Sequence, residues 1–139
     1  MKQFIIYIDE NLPRQLAVGL NELQQPQNLK ENVQIQVKSI SDEFGRGALD
    51  EDWIPKVGEQ KAYVITQDSR IQSQKHQREL YLKHGVGIFF LNPPSNSGFQ
   101  YWDMVKKLIG EWEDIKKIIK KDKPPFAYRA SARAKFEKM

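Results

Sequence analysis

The sequence predicts an α/β fold, a mainly parallel sheet sandwiched between helices. Three observations carry this. Continuous apolar runs of strand length at residues 4–8, 62–66 and 86–91 read as strands buried on both faces. Segments of helical period separate them. Turn and cap residues mark the junctions, so strands and helices alternate in the order that builds parallel sheets. At 139 residues, 40% of them apolar, the chain can enclose a core and reads as a single domain over 1–139.

Each element follows in turn. The first run, Phe4-Ile5-Ile6-Tyr7-Ile8, ends at Asp9-Glu10-Asn11-Leu12-Pro13. Asn11 suits an N-cap, and Pro13 suits a first helical turn, where a missing N–H is no loss. Leu12, Leu16, Leu20 and Leu23 then recur at helical spacing. Polar residues 24–32, with Pro26 among them, read as a loop. Val33, Ile35 and Val37 alternate with polar residues, a second strand reaching Ile40. Gly45 and Gly47 mark 41–49 as a loop with a tight turn. Asp50-Glu51-Asp52 open the next helix at the positive end of its dipole, and Pro55 is acceptable only in a first turn. The third strand stops at Gln67-Asp68-Ser69. A polar helix over about 73–84 carries His76 and His84 on its surface and ends at Gly85. The fourth strand runs into the loop Asn92-Pro93-Pro94-Ser95-Asn96-Ser97-Gly98. In the longest helix Trp102, Val105, Leu108, Ile109, Trp112, Ile115 and Ile119 form a stripe that reads as core. Pro124-Pro125 stops it before a short final strand at 126–131.

Composition excludes several classes. With no Cys there is no disulfide scaffold, thiolate metal site or Cys nucleophile. No apolar run approaches the roughly 20 residues of a membrane span, and no signal-like segment opens the chain, so a cytoplasmic protein is expected. G-x-S-x-G, P-loop, G-x-G-x-x-G and H-E-x-x-H patterns are absent. Charge is uneven: residues 1–115 carry a net −3 and residues 116–139 a net +7. A basic segment at about 116–139 on an acidic body suits a polyanion partner, although a solvated helix end would show the same charge.

Open parallel sheets bind ligands at the carboxyl ends of their strands. Two such ends finish in acids here, at Asp9-Glu10 and at Asp68, and Asp50 opens a helix after a glycine-containing loop. Clustered carboxylates repel by roughly 3 kcal/mol per pair at about 5 Å, so a cluster calls for a cation or raised pKa values. Oxygen donors in excess over two imidazoles favour Mg²⁺ or Mn²⁺. Acids after strands also serve as caps and turn formers, and Asp42-Glu43 reads as a solvated loop pair.

The order Ile-Asp-Glu-Asn-Leu-Pro, Gly-Ala-Leu-Asp-Glu-Asp-Trp-Ile-Pro and Val-Ile-Thr-Gln-Asp-Ser-Arg-Ile resembles the PIN-like domains grouped with VapC toxins. The similarity continues through Gly85-Val86-Gly87-Ile88-Phe89-Phe90-Leu91 to Pro-Pro-Phe-Ala-Tyr-Arg. The resemblance implies a three-layer α/β/α fold and a Mg²⁺- or Mn²⁺-dependent ribonuclease. It also implies a toxin with an antitoxin partner, and together with exposed apolar helices it allows a homodimer. Residue by residue it places Asp9, Asp50 and Asp68 as metal ligands and catalytic acids, with Glu10 beside Asp9. Many relatives carry another acid two residues after Asp68, where this chain has Arg70. Glu10 or Glu51 replaces it, or the site holds one metal, or the member is inert.

Arg70 is the candidate for the scissile phosphate, or for a salt bridge to a clustered acid. Arg78 and Glu79, on the helix that follows, are candidates for a substrate contact or a structural ion pair. Lys116, Lys117, Lys120, Lys121, Arg129 and Arg133 are candidates for the RNA backbone. Two rival readings differ in class. A non-catalytic PIN-like module would serve only its antitoxin, and Arg70 is its support. A response-regulator receiver shares the early acid pair but wants a Ser or Thr after the fourth strand and a Lys after the fifth. Here the fourth ends Leu91-Asn92-Pro93.

Overall fold

The computed structural model describes residues 1–67 and 71–139, with side chains at all of these except 71–74. Five strands, β1 (Lys2–Ile8), β2 (Val33–Ser39), β3 (Tyr63–Gln67), β4 (Gly87–Asn92) and β5 (Phe126–Ser131), lie parallel in the order β2-β1-β3-β4-β5. A two-residue strand, β6 (Glu137–Lys138), pairs antiparallel with β5. The helices are α1 (Arg14–Glu31), α2 (Ile40–Phe44), α3 (Asp50–Glu59), α4 (Ile71–Lys83) and α5 (Tyr101–Lys121).

The period-2 alternation of the strands divides the core into two layers. Phe4, Ile6, Ile8, Ile65 and Phe89 face α1 and α5, packing on Leu16, Leu20, Leu108 and Ile115. Tyr7, Val64, Ile88 and Phe90 face the other way, onto Trp53, Ile54 and Val57 of α3 and Tyr81 of α4. Each such side chain removed from water contributes roughly 1.5–3 kcal/mol. The result is a three-layer α/β/α sandwich with a mainly parallel sheet, the class the sequence predicts. From β1 the chain moves outward to β2 and then crosses back to β3 on the other side. The carboxyl ends of β1 and β3 therefore flank the switch point of the sheet, the crevice where such folds place ligands.

Several local expectations are corrected. Residues 24–31 continue α1 through Pro26 instead of forming a loop. Tertiary contacts outweigh the lost helix bond, because this turn covers the open edge of β2. Asn28 donates to the Ile35 carbonyl at 3.1 Å and accepts from the Ile35 N–H at 3.3 Å. Gln25 also donates to the Ile35 carbonyl, and Asn21 accepts from the Val37 N–H at 2.9 Å. An edge strand left bare would be a template for pairing with another chain. A short helix, α2, occupies part of the expected 41–49 loop, because Ser39 caps it by accepting from the Asp42 N–H. Pro55 sits past the first turn of α3, inside the helix, where the buried Trp53, Ile54 and Val57 outweigh its missing hydrogen bond. Asn11 does not cap α1, whose N-cap position is Pro13. The α5 stripe is core only in part: Trp102 is 70% and Ile109 50% exposed. The sheet and α1 cover a narrower face of α5 than the apolar stripe, and with Leu23 and Tyr101 these two residues wall a surface groove beside α1.

Candidate functional site

The ends of β1 and β3 are tied to each other by side chains. Asp9 donates its N–H to the Ile65 carbonyl at 2.9 Å, which continues the β1–β3 pairing one residue past Ile8. Its carboxylate accepts from the Thr66 hydroxyl at 2.7 Å and from the Glu10 N–H at 2.7 Å. The Thr66 hydroxyl in turn accepts from the Asn11 amide at 2.9 Å, and that amide also donates to the Gln67 carbonyl at 2.7 Å. Gln67 returns a bond from its own amide to the Asn11 carbonyl at 2.6 Å. Asp9 is thereby fixed in orientation at the switch point, half-buried.

Asp50, the first residue of α3, comes to the same place. Burial is the main cause that pushes the Asp9 carboxyl above its ordinary 3.8, and bonds from Thr66 and Glu10 work against it. The charges of Asp50 and Glu10 push it further up. Burial likewise raises Asp50, and Glu51 adds to the rise, while the Trp53 side chain and His76 counter it. Tyr81, fully buried under the site, has its phenol held well above 10.0 by burial and then by the charges of Asp9 and Asp50. Its hydroxyl stays protonated. The Glu10 carboxylate is engaged by the neighbouring turn: both its oxygens accept from the Gly47 N–H, at 3.0 and 3.1 Å.

Two of the three predicted acids, Asp9 and Asp50, are brought together, and Asp68 and Arg70 lie outside the described residues. Among the described residues no group of three or more His, Cys, Asp or Glu is spaced to hold a metal ion. The chemistry of the two acids nevertheless fits a hard divalent cation: all-oxygen donors, with mutual repulsion that a positive ion would relieve. Glu51 is exposed at the start of α3.

The basic segment is divided. Lys116 is buried and corrects the expectation of a phosphate contact, because its ammonium is committed inside the molecule. It lies 3.0 Å from Glu31 and 3.0 Å from Glu113, and donates to Gln24 at 3.3 Å. Lys120 approaches Glu31 at 3.8 Å. Lys117, Lys121, Arg129 and Arg133 are exposed. The sequence alone does not single out Asn11, Thr66 and Tyr81 as members of the site. Thr66 stands in the Val-Ile-Thr-Gln-Asp run, and its place one residue before the end of a strand is the available signal. Tyr81 carries none, since a single aromatic on a polar helix reads as packing.

No curated protein and no solved structure gives a match to the chain. A family model described as "PIN like domain" matches residues 4–93, from β1 through the end of β4, which includes the two tied strand ends and the start of α3. The match covers well over half of the chain and ends before α5 and the basic segment, and on it the protein belongs to the PIN-like domain family.

Proposed function

We propose that this PIN-like domain is a metal-dependent ribonuclease that hydrolyses phosphodiester bonds, with Asp9, Asp50 and Asp68 as the acids of its metal site. The observation that carries the reading is the meeting of Asp9 and Asp50 at the switch point with both carboxyls above their ordinary value. Nuclease-type function is common among PIN-like domains, and the pairing of Asp9 with Asp50 supports this reading. A bound Mg²⁺ or Mn²⁺ would neutralise phosphate charge and ease deprotonation of the attacking water. Asp9 and Asp50 would hold the ion. The Thr66 hydroxyl and Glu10 N–H orient Asp9, and the buried Tyr81 phenol, kept neutral, adds no charge to the pair. In the overall reaction water adds to phosphorus and the bond to the leaving oxygen breaks, yielding a hydroxyl and a phosphate monoester. Arg70 is proposed to meet the phosphate. The VapC resemblance makes the toxin of a toxin–antitoxin pair, with an antitoxin and a second copy as partners, the proposed setting in the cytoplasm.

The test is Asp9→Asn, measured by Mn²⁺ calorimetry and by cleavage of a labelled RNA. Mn²⁺ affinity is expected to fall, and cleavage by about 100-fold or more, the scale on which loss of one electrostatic stabiliser acts. Unchanged affinity and cleavage would overturn the assignment. One observation favours a second reading, a non-catalytic module that only binds its partner: the sequence has Arg70 where many relatives have an acid. Wild-type protein that neither binds Mn²⁺ nor cleaves RNA would select it.

A further inference from the structure

Between α2 and α3 the chain turns sharply through Gly45-Arg46-Gly47. Both glycines have positive φ, +96° and +73°, and a Cβ at either would meet nothing within 4 Å. They serve backbone conformation, not space. The Ala48 N–H closes the turn on the Gly45 carbonyl at 3.4 Å. The Gly47 N–H is gripped by both carboxylate oxygens of Glu10, whose own N–H holds Asp9. Arg46 is thus tethered one peptide from a bond to the residue that follows Asp9, and Asp50 lies four residues further on. Its side chain is exposed. The bond from Gly47 to Glu10 brings the Arg46 backbone toward two acids, and a guanidinium there would ordinarily be read as their counter-ion. The cation that acts on Asp50, however, is His76, and the groups that lower Asp9 are Thr66 and the Glu10 N–H.

We infer that Arg46 is a substrate-binding residue of this site, its guanidinium taking a phosphate of a single-stranded nucleic acid next to the one being cleaved, and that Glu10 is a positioning residue that holds its turn in place. The inference rests on the nuclease reading and deepens it. A planar fork of donors suits a phosphate bidentately, and a turn pinned at its next residue limits the freedom such a contact must give up. The same geometry gives Glu10 a role that does not require it to touch a metal.

The experiment titrates a fluorescent single-stranded RNA oligonucleotide into the full chain without added metal, by anisotropy, over a range of salt concentrations. Arg46→Ala is expected to weaken binding about tenfold and to reduce the steepness of the log–log salt dependence by about 0.7, one phosphate contact on a single strand. Arg46→Lys should retain the slope while binding less tightly. Glu10→Ala should weaken binding with the slope unchanged, because the charge remains but its position is lost. Arg46 is exposed, so equal thermal midpoints should confirm intact folding. Affinity and slope unchanged in Arg46→Ala, alongside cleavage that depends on Asp9, would overturn the Arg46 assignment alone. A lowered slope in Arg46→Ala, with wild-type protein that neither binds Mn²⁺ nor cleaves RNA, would support the Arg46 contact and refute the nuclease reading. Wild-type protein that binds no RNA would overturn both.

Discussion

At the scale of single residues, Asp9 shows how a strand end holds a carboxylate in place. Its N–H extends the β1–β3 ladder while its carboxylate is held by Thr66 and Glu10, so a polar group is kept half-buried in one orientation. Burial first, and neighbouring carboxylates second, raise its pKa, and burial and Glu51 do the same for Asp50. The folded state therefore favours the protonated acids more than the unfolded chain does. Their contribution to stability is fully present below the unfolded value, about pH 4, and is lost as pH rises through the folded values. Metal-free wild-type protein should accordingly lose thermal midpoint relative to Asp9→Asn as pH rises above about 4, and Mn²⁺ should restore it. Circular dichroism melts at several pH values measure this. A wild-type-minus-variant difference that does not change with pH would contradict it.

At the scale of elements, α1 does more than bury an apolar stripe. Its Asn21, Gln25 and Asn28 side chains satisfy the outward N–H and C=O groups of β2, the exposed edge of the sheet. This explains why the helix persists through Pro26: the turn beyond the proline supplies Asn28, and Asn28 is buried. Asn28→Ala removes a donor and an acceptor at once and leaves both polar groups of Ile35 dependent on Gln25 and solvent. A loss of about 1–3 kcal/mol in urea unfolding is expected, together with concentration-dependent association through the freed edge, seen by light scattering. Wild-type stability in the variant would show that water satisfies this edge equally well. The expectation of a loop at 24–32 fails here because composition registers polar residues and a proline but not the strand they serve.

At the scale of the whole molecule, charge and fold divide differently from their order along the chain. The +7 segment spans the end of α5, β5 and β6, and its first member is internal. Burial works against the charges of both Lys116 and Glu31, yet their contact outweighs it: Glu31 is held below its ordinary value, and Lys116 is raised by Glu113 and Glu31. Exposed cations remain for a polyanion, Lys117, Lys121 and Arg129 among them. Reversing these three to Glu should weaken RNA binding and lower the salt slope by about 2, or about 0.7 for each phosphate no longer neutralised. An unchanged slope would make them a solvated surface.

The sequence by itself determined the class of fold and the strand ends that carry the candidate acids. Buried runs, helical periods and turn residues are local signals, and a parallel sheet built from them must present its loops, with Asp9 among them, at one edge. Tertiary structure alone decided which residues meet there and what they are free to do. Thr66 reaches Asp9 across 57 positions, Glu10 reaches Gly47 across 37, and Glu31 reaches Lys116 across 85. Apart from the place of Thr66 next to a strand end, none of these partners is marked by spacing or residue type, because a hydrogen bond or ion pair between distant positions exists only once the sheet has set their separation. That is why the acids were legible as candidates, whereas the clamp on Asp9, the tether of the Arg46 turn and the internal commitment of Lys116 were not.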